Sequence, residues 1–202
     1  MEPFKTLTAV AAPVDLPNVD TDRIIPARFL RKSPGPGYER YLFHDVRFDE
    51  DGSGKPEFIL NQAPYRQARI LVTAENFGCG SSREAAVWVL MAYGFRCFIG
   101  PSFGDIFFEN CGKNGALALV LPADVVAGIR RQLHERPGAT MTVDLGSQTL
   151  TCPDGTRLGF EVDPFRKQSL LKGHDEIALT LSYEPAIAAY EVRRKAECPW
   201  LA

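Results

Sequence analysis

The chain has 202 residues, of which 45% are hydrophobic and 24% charged, and a net charge of −2. That is enough apolar material for a packed core, without the basic excess by which proteins hold nucleic acid or an anionic membrane. No stretch approaches the roughly 20 apolar residues of a membrane helix, and Met1-Glu2-Pro3-Phe4-Lys5 lacks the apolar centre of a signal peptide, so a cytoplasmic protein is expected.

In chain order, Leu7 to Val14 reads as a strand that runs into Asp15-Leu16-Pro17-Asn18-Val19-Asp20-Thr21-Asp22-Arg23, a polar, turn-rich passage. Ile24-Ile25-Pro26 then introduces a short helical piece over Ala27 to Arg31. Ser33-Pro34-Gly35-Pro36-Gly37 can be neither helix nor central strand. A short helix is expected over Tyr38 to Asp45, followed by an exposed loop at Asp49 to Pro56.

From Ile70 the pattern alternates. Strands are predicted at Ile70–Thr73, Arg96–Ile99 and Leu117–Leu121, with helices over Ser82–Tyr93, Phe103–Lys113 and Ala123–Leu133. In the last of these, Val125, Val126, Ile129 and Leu133 share a face. Strands joined by helical crossovers imply parallel pairing. Met141–Leu145, Thr149–Cys152 and Thr156–Phe160, separated by Gly146-Ser147 and Pro153-Asp154-Gly155, read as a hairpin or meander. Pro164–Lys172 and Asp175–Lys195 return to helix, with a break marked by Pro185. The whole forms one α/β domain over residues 1–202, with a helical C-terminal extension from about residue 164.

Cys79, Cys97, Cys111, Cys152 and Cys198 are odd in number and widely spaced, which argues against a disulfide framework and a closed metal site. His44, His134 and His174 show no ligand spacing; His134 suits the C-terminus of the helix that precedes Pro137-Gly138. No metal is assigned to this chain.

The stretch richest in chemistry is Asn76-Phe77-Gly78-Cys79-Gly80-Ser81-Ser82-Arg83-Glu84, at a predicted strand-to-helix turn. Gly78 and Gly80 let the backbone turn sharply and approach a ligand, the following helix offers free N–H groups, and the Arg83 fork suits a carboxylate. A plain structural account stands beside this one: Ser81 and Glu84 have the spacing of a capping box. The third glycine of a dinucleotide fingerprint is replaced by Arg83, and the order Gly-Cys-Gly-Ser-Ser is not a nucleophile elbow. Cys79 would have its thiolate favoured by a helix N-terminus and Arg83, yet no histidine lies near it in sequence.

Two motifs in order, Asn18-Val19-Asp20-Thr21-Asp22-Arg23-Ile24-Ile25-Pro26-Ala27-Arg28-Phe29-Leu30 and Glu75 to Glu84, closely resemble the small subunits of 3-isopropylmalate dehydratase, in the aconitase superfamily. Tyr93-Gly94-Phe95, Pro101-Ser102-Phe103-Gly104-Asp105-Ile106-Phe107 and Ile187-Ala188-Ala189-Tyr190-Glu191 agree with the bacterial form, so the resemblance covers nearly the whole chain.

The resemblance implies a swivelling β/β/α domain, like the mobile C-terminal domain of aconitase, with a mixed, largely parallel sheet flanked by helices. It implies a hydro-lyase that interconverts 2-isopropylmalate and 3-isopropylmalate through a cis-alkene in leucine biosynthesis. Activity would require a large iron-sulfur subunit, on which a [4Fe-4S] cluster is expected, and the substrate would be an alkylmalate dianion. Ser81 corresponds to the superfamily's catalytic base, and Ser82 and Arg83 to ligands of substrate carboxylate on the loop shaped by Gly78 and Gly80. Asp22 is expected to orient groups near the serine, while the plain reading of Asp20-Thr21-Asp22 is a cap for the short helix after Pro26. Arg31, with Lys32 beside it, matches the place of another substrate arginine or is a solvated basic pair, and the loop from Arg28 to Tyr38 resembles the family's substrate-recognition loop. Ala85-Ala86-Val87 stands where the bacterial proteins usually have His-Ala-Pro, which leaves open the small subunit of a related citraconate, dimethylmalate or homoaconitate hydratase. A non-catalytic anion-binding module is a further alternative.

Overall fold

A computed structural model describes residues 1–201, with every side chain but those of Glu176 and Leu201. Its centre is a seven-stranded mixed sheet in the order β4-β3-β2-β1-β5-β6-β7. The strands are β1 (Thr6–Val14), β2 (Ile70–Thr73), β3 (Cys97–Gly100), β4 (Leu117–Val120), β5 (Thr140–Asp144), β6 (Thr149–Thr151) and β7 (Arg157–Gly159).

β1 joins two kinds of sheet. Its first half pairs antiparallel with β5, Thr6 opposite Asp144 through Val10 opposite Thr140, and its second half pairs parallel with β2, Ala11 opposite Ile70 through Val14 opposite Thr73. Pro13 lies beyond the end of β5 and its nitrogen faces away from β2, so its missing N–H breaks no ladder. β2, β3 and β4 continue in parallel, and β5, β6 and β7 form the expected meander.

Both faces of the parallel half are covered, which is why Ile70-Leu71-Val72 and Cys97-Phe98-Ile99 are unbroken apolar runs rather than alternating ones. Leu71, Phe98 and Ala118 pack with α3 (Glu84–Tyr93) and α4 (Asp105–Asn114). Ile70, Val72, Ile99 and Leu119 pack on the other side with Val126, Ile129 and Leu133 of α5 (Ala123–Glu135), the face predicted from their spacing, and with Met141, Val143 and Leu150 of the meander. His134, in the last turn of α5, holds Asp15 at 2.6 Å, tying that helix end to the chain leaving β1.

The segment between β1 and β2 differs in detail from its prediction. A four-residue helix, α1 (Thr21–Ile24), precedes the expected helical piece, which is a 3-10 turn at Ala27–Phe29. The helix expected over Tyr38 to Asp45 is interrupted at Phe43, whose φ of +54° is left-handed, leaving a 3-10 turn at Tyr38–Tyr41 and α2 at His44–Arg47. Burial of the Phe43 side chain, 2% exposed among Ile24, Leu42 and Phe77, accounts for the break: packing overrides local helix preference. At the C-terminus α6 (Pro164–Lys172) is followed by α7 (Glu176–Leu181) and α8 (Glu184–Glu197), and Pro185 sits in the first turn of α8, just after the break it signals. Among the described residues no helix is long and apolar enough to cross a membrane.

The loops leaving the carboxyl ends of β1, β2 and β3 remain paired in the strand order, with bridges Asp20 to Cys79 and Phe77 to Phe103 beyond the regular ladder. They are bolted by close backbone packing. A Cβ on Gly104 would stand 2.5 Å from the Gly78 carbonyl oxygen, and one on Gly78, at φ +75°, would stand 2.3 Å from the ring of Phe107, itself 2% exposed. Gly80, at φ +87°, has its nearest neighbour at 3.4 Å, so a methyl there meets conformational strain without collision. Gly78→Ala is therefore expected to lower unfolding free energy by about 2–5 kcal/mol, left-handed strain plus overpacking, against about 1–2 kcal/mol for Gly80→Ala. Urea denaturation checks this, and equal losses at the two positions would show that the Phe107 contact does not govern the loop.

Candidate active site

In open α/β sheets the crevice beyond the carboxyl ends of parallel strands is where ligands are held, because the connecting loops diverge there. Here that edge is formed by Asp15 to Thr21 after β1 and Ala74 to Arg83 after β2. The Gly78 N–H donates to the Val19 carbonyl at 2.7 Å, and the Thr21 N–H donates to the Cys79 carbonyl at 2.9 Å. The buried Thr21 hydroxyl, 2% exposed as a residue, donates to the Ser81 carbonyl at 2.9 Å. The backbone of the serine is thus fixed while its side chain faces solvent: Ser81 and Ser82 are both exposed.

The N–H groups of Gly80, Ser81, Ser82 and Arg83 donate to no backbone carbonyl among the described residues. All four belong to the stretch that carries the two exposed hydroxyls. Helix α3 starts at Glu84, later than the predicted Ser82, because Arg83 is extended at φ −135°, ψ 98° and acts as the N-cap residue. The capping box between Ser81 and Glu84 does not form. Glu84 instead accepts from the Asn114 amide at 2.7 Å, and Asn114 in turn accepts from the Trp88 indole at 3.0 Å, so the start of α3 is tied to the end of α4. With Ser81 released from capping, its hydroxyl is available to a ligand.

Arg83 is mostly sheltered, its side chain 14% exposed, and pairs with the carboxylate of Asp22, which is 54% exposed. The Arg83 guanidinium holds the Asp22 carboxyl below its ordinary value of 3.8, against a smaller opposing effect of desolvation. Asp22 Oδ1 also accepts from the Ala27 N–H at 3.1 Å, and Asp20 Oδ1 accepts from the Arg23 N–H at 2.7 Å. The passage therefore does two things. Asp20 caps α1, Asp22 caps the turn after Pro26 as its plain reading suggests, and the same Asp22 carboxylate carries the ion pair to the glycine loop.

Sequence-predicted residues Gly78, Gly80, Ser81, Ser82, Arg83 and Asp22 are brought together by these bonds. Arg31 and Lys32 are not: they lie on the exposed turn after Ala27–Phe29, with no contact to the glycine loop among the described residues. The loop they occupy is anchored at both ends, Arg28 pairing with Asp45 and Phe29 stacking on Tyr41 at 4.5 Å, with Tyr38 buried at the far end and residues 30–36 exposed between. Thr21 is a site residue that sequence reasoning does not find. A threonine between two aspartates reads as solvated, and only the approach of two loops distant in sequence shows it to be buried.

The thiols do not form a metal-ligand set. Burial raises the pKa of Cys97 and Cys111 and pushes that of Cys152 up to about 11, and no group of three or more His, Cys, Asp or Glu side chains among the described residues is arranged to hold a metal ion.

Comparison with known proteins identifies the family. The aconitase C-terminal domain family matches residues 1–124, the LeuD_N family residues 129–164, and the family of C-terminal domains of 3-isopropylmalate dehydratase small subunits residues 176–202. The chain is 52% identical over 200 residues to the 3-isopropylmalate dehydratase small subunit of Rhodospirillum centenum, covering 99% of this chain and 98% of that one. It is 51% identical over 201 residues to the protein of the same name from Paramagnetospirillum magneticum, covering 100% of both. A solved 3-isopropylmalate dehydratase of Methanocaldococcus jannaschii shares the fold, with a TM-score of 0.64 over 92% of this chain and 99% of that one at 23% identity. Half-identical relatives along its full length, together with the domain match over its first 124 residues, show that the chain belongs to the 3-isopropylmalate dehydratase small subunits, within the aconitase C-terminal domain family.

Proposed function

We propose that this chain is the small subunit of a hydro-lyase that interconverts 2-isopropylmalate and 3-isopropylmalate, and that it contributes the base and one carboxylate clamp of a site completed by a large subunit. The observation that carries the reading is the exposed Ser81, its backbone pinned by Thr21, in a stretch from Gly80 to Arg83 whose four N–H groups bond no backbone carbonyl among the described residues.

The chemistry follows from the charges. Dehydration of an alkylmalate requires removal of a proton from the carbon next to the one that loses hydroxide. A serine does this only as an alkoxide, which needs donors in place before the reaction, and the N–H groups of that stretch supply them. Arg83 has donors to spare beyond those that Asp22 accepts, and binds a carboxylate of the dianion. Asp22 is a positioning residue: its carboxylate aims the guanidinium and limits its freedom. Ser82 hydrogen-bonds the same carboxylate. Arg31 and Lys32, on the exposed loop anchored by Arg28 and Tyr38, face the substrate when the large subunit is docked. A [4Fe-4S] cluster on that partner supplies Lewis-acid polarisation of the departing hydroxyl.

Coexpression with a cluster-bearing large subunit, followed by an assay of alkene formation from a panel of 2-alkylmalates, tests the reading and identifies the alkyl group. Turnover by the isolated chain, or none in any assembly, rejects it. In the assembled enzyme Ser81→Ala is expected to bind the partner normally and to lose about 10²–10⁴-fold in kcat, the usual contribution of a general base. Wild-type kcat would remove the serine from that role. Asp22→Asn should reduce kcat/KM severalfold, mainly through KM, since the ion pair that aims Arg83 is half-exposed and worth up to about 1 kcal/mol.

The pH dependence has a definite sign. Because the folded-state pKa of Asp22 lies below 3.8, the stability that the pair contributes is fully present above that value and disappears as pH falls through the lowered pKa. The stability difference between wild type and Asp22→Asn should therefore be constant from about pH 5 to 8 and shrink below about pH 3.8. A difference that varies across neutral pH would assign the titration to another group.

A further inference from the structure

Away from the glycine loop, a cleft of about 640 Å³ lies between α2, the segment Gly54 to Arg66 and the end of α3. Two arginines line it, Arg47 and Arg66, and no acidic residue does. Arg47 is half-buried and its guanidinium lies against the rings of Phe48, at 4.9 Å, and Tyr93, at 5.0 Å. Its Nε donates to Asn61 Oδ1 at 2.9 Å, and the Asn61 amide is spent on the carbonyls of Arg47 and Lys55, so this asparagine holds the arginine in place and offers nothing further.

One terminal nitrogen of Arg47 is fully buried without a hydrogen-bond acceptor, and neither Arg47 nor Arg66 has a carboxylate within ion-pair distance among the described residues. Glu39 contributes to the field at Arg47 from beyond that distance, and desolvation outweighs it. A guanidinium partly removed from water gains from an anionic partner, since desolvation of an unpaired charge is unfavourable. The packing also constrains what the partner is: Tyr93 turns its hydroxyl to the carbonyls of Leu60 and Arg66, closing one wall with satisfied groups, while Arg66, fixed by its Nε at the Asn61 carbonyl, lines the cleft as well.

We propose that this cleft binds a small oxyanion, a phosphate or carboxylate group, between Arg47 and Arg66. Two guanidinium groups lining one space suit the tetrahedral or trigonal oxygens of such a group, which takes paired donors at short range. Occupancy would also brace α2, whose Asp45 anchors Arg28 at the root of the exposed loop.

Isothermal titration of the full chain with inorganic phosphate, and separately with succinate, tests the assignment and distinguishes the two sources of oxyanion. Saturable binding in the millimolar range or tighter is expected with at least one of them. In a chain carrying Arg83→Gln, which removes the carboxylate clamp of the glycine loop as a competing site, Arg66→Ala, an exposed position whose removal leaves Arg47 and its ring contacts in place, should weaken that binding about tenfold. No saturable binding by either anion overturns the proposal, and so does binding that Arg66→Ala does not affect. Circular dichroism of Arg66→Ala confirms that a loss of binding is not a loss of fold.

Discussion

The structure depends on keeping two loops in register after the strands beneath them have ended. β1 and β2 pair only as far as Val14 and Thr73, yet the Gly78 N–H still reaches the Val19 carbonyl and the Thr21 N–H reaches that of Cys79. Each bond is worth only about 1 kcal/mol net, but together with the Thr21 hydroxyl on the Ser81 carbonyl they make the serine's position a property of the sheet rather than of a free loop. In the proposed role as base the hydroxyl becomes an alkoxide, which needs its donors fixed in advance; an exposed loop with freely moving amides would spend the stabilisation on its own ordering.

The glycines follow from the same constraint. Gly78 is required because the chain passes against Phe107 in a left-handed conformation, and Gly104 because the Gly78 carbonyl presses on it from across the loop pair. Phe107 itself sits in a chain of aromatic contacts with Phe77, Phe98 and Phe103, so the floor of the site is a part of the core beneath the sheet face that α3 and α4 cover. Chemistry is open above this floor and rigid below it.

Charge is arranged differently from the apolar contacts. Arg83 is sheltered and Asp22 exposed, so their pair is a means of direction more than a source of stability, in line with the small value of ion pairs near water. Its use lies in orientation: Asp22 is tied at one side to the Ala27 N–H and at the other to Arg83, which couples the start of the exposed loop to the glycine loop. Arg47 presents the contrasting case of a guanidinium stacked between rings with no carboxylate within ion-pair distance among the described residues.

The parallel strands, the helices between them and the meander were legible in the sequence, because unbroken apolar runs such as Ile70-Leu71-Val72 and the spacing of Val126, Ile129 and Leu133 record burial directly. The glycine loop was legible too, as a pattern of residue types and as a resemblance. Its alternative uses were not separable there: Ser81 and Glu84 had the spacing of a cap, and only the tertiary contact of Glu84 with Asn114 removed the glutamate from that role. The interruption at Phe43, the burial of Thr21, the double duty of Asp22 and the unpaired Arg47 were likewise decided by the folded chain. Periodicity reports which face of an element is apolar. It is silent on which distant segment meets that face, and each of these four features depends on residues brought together from separate parts of the sequence.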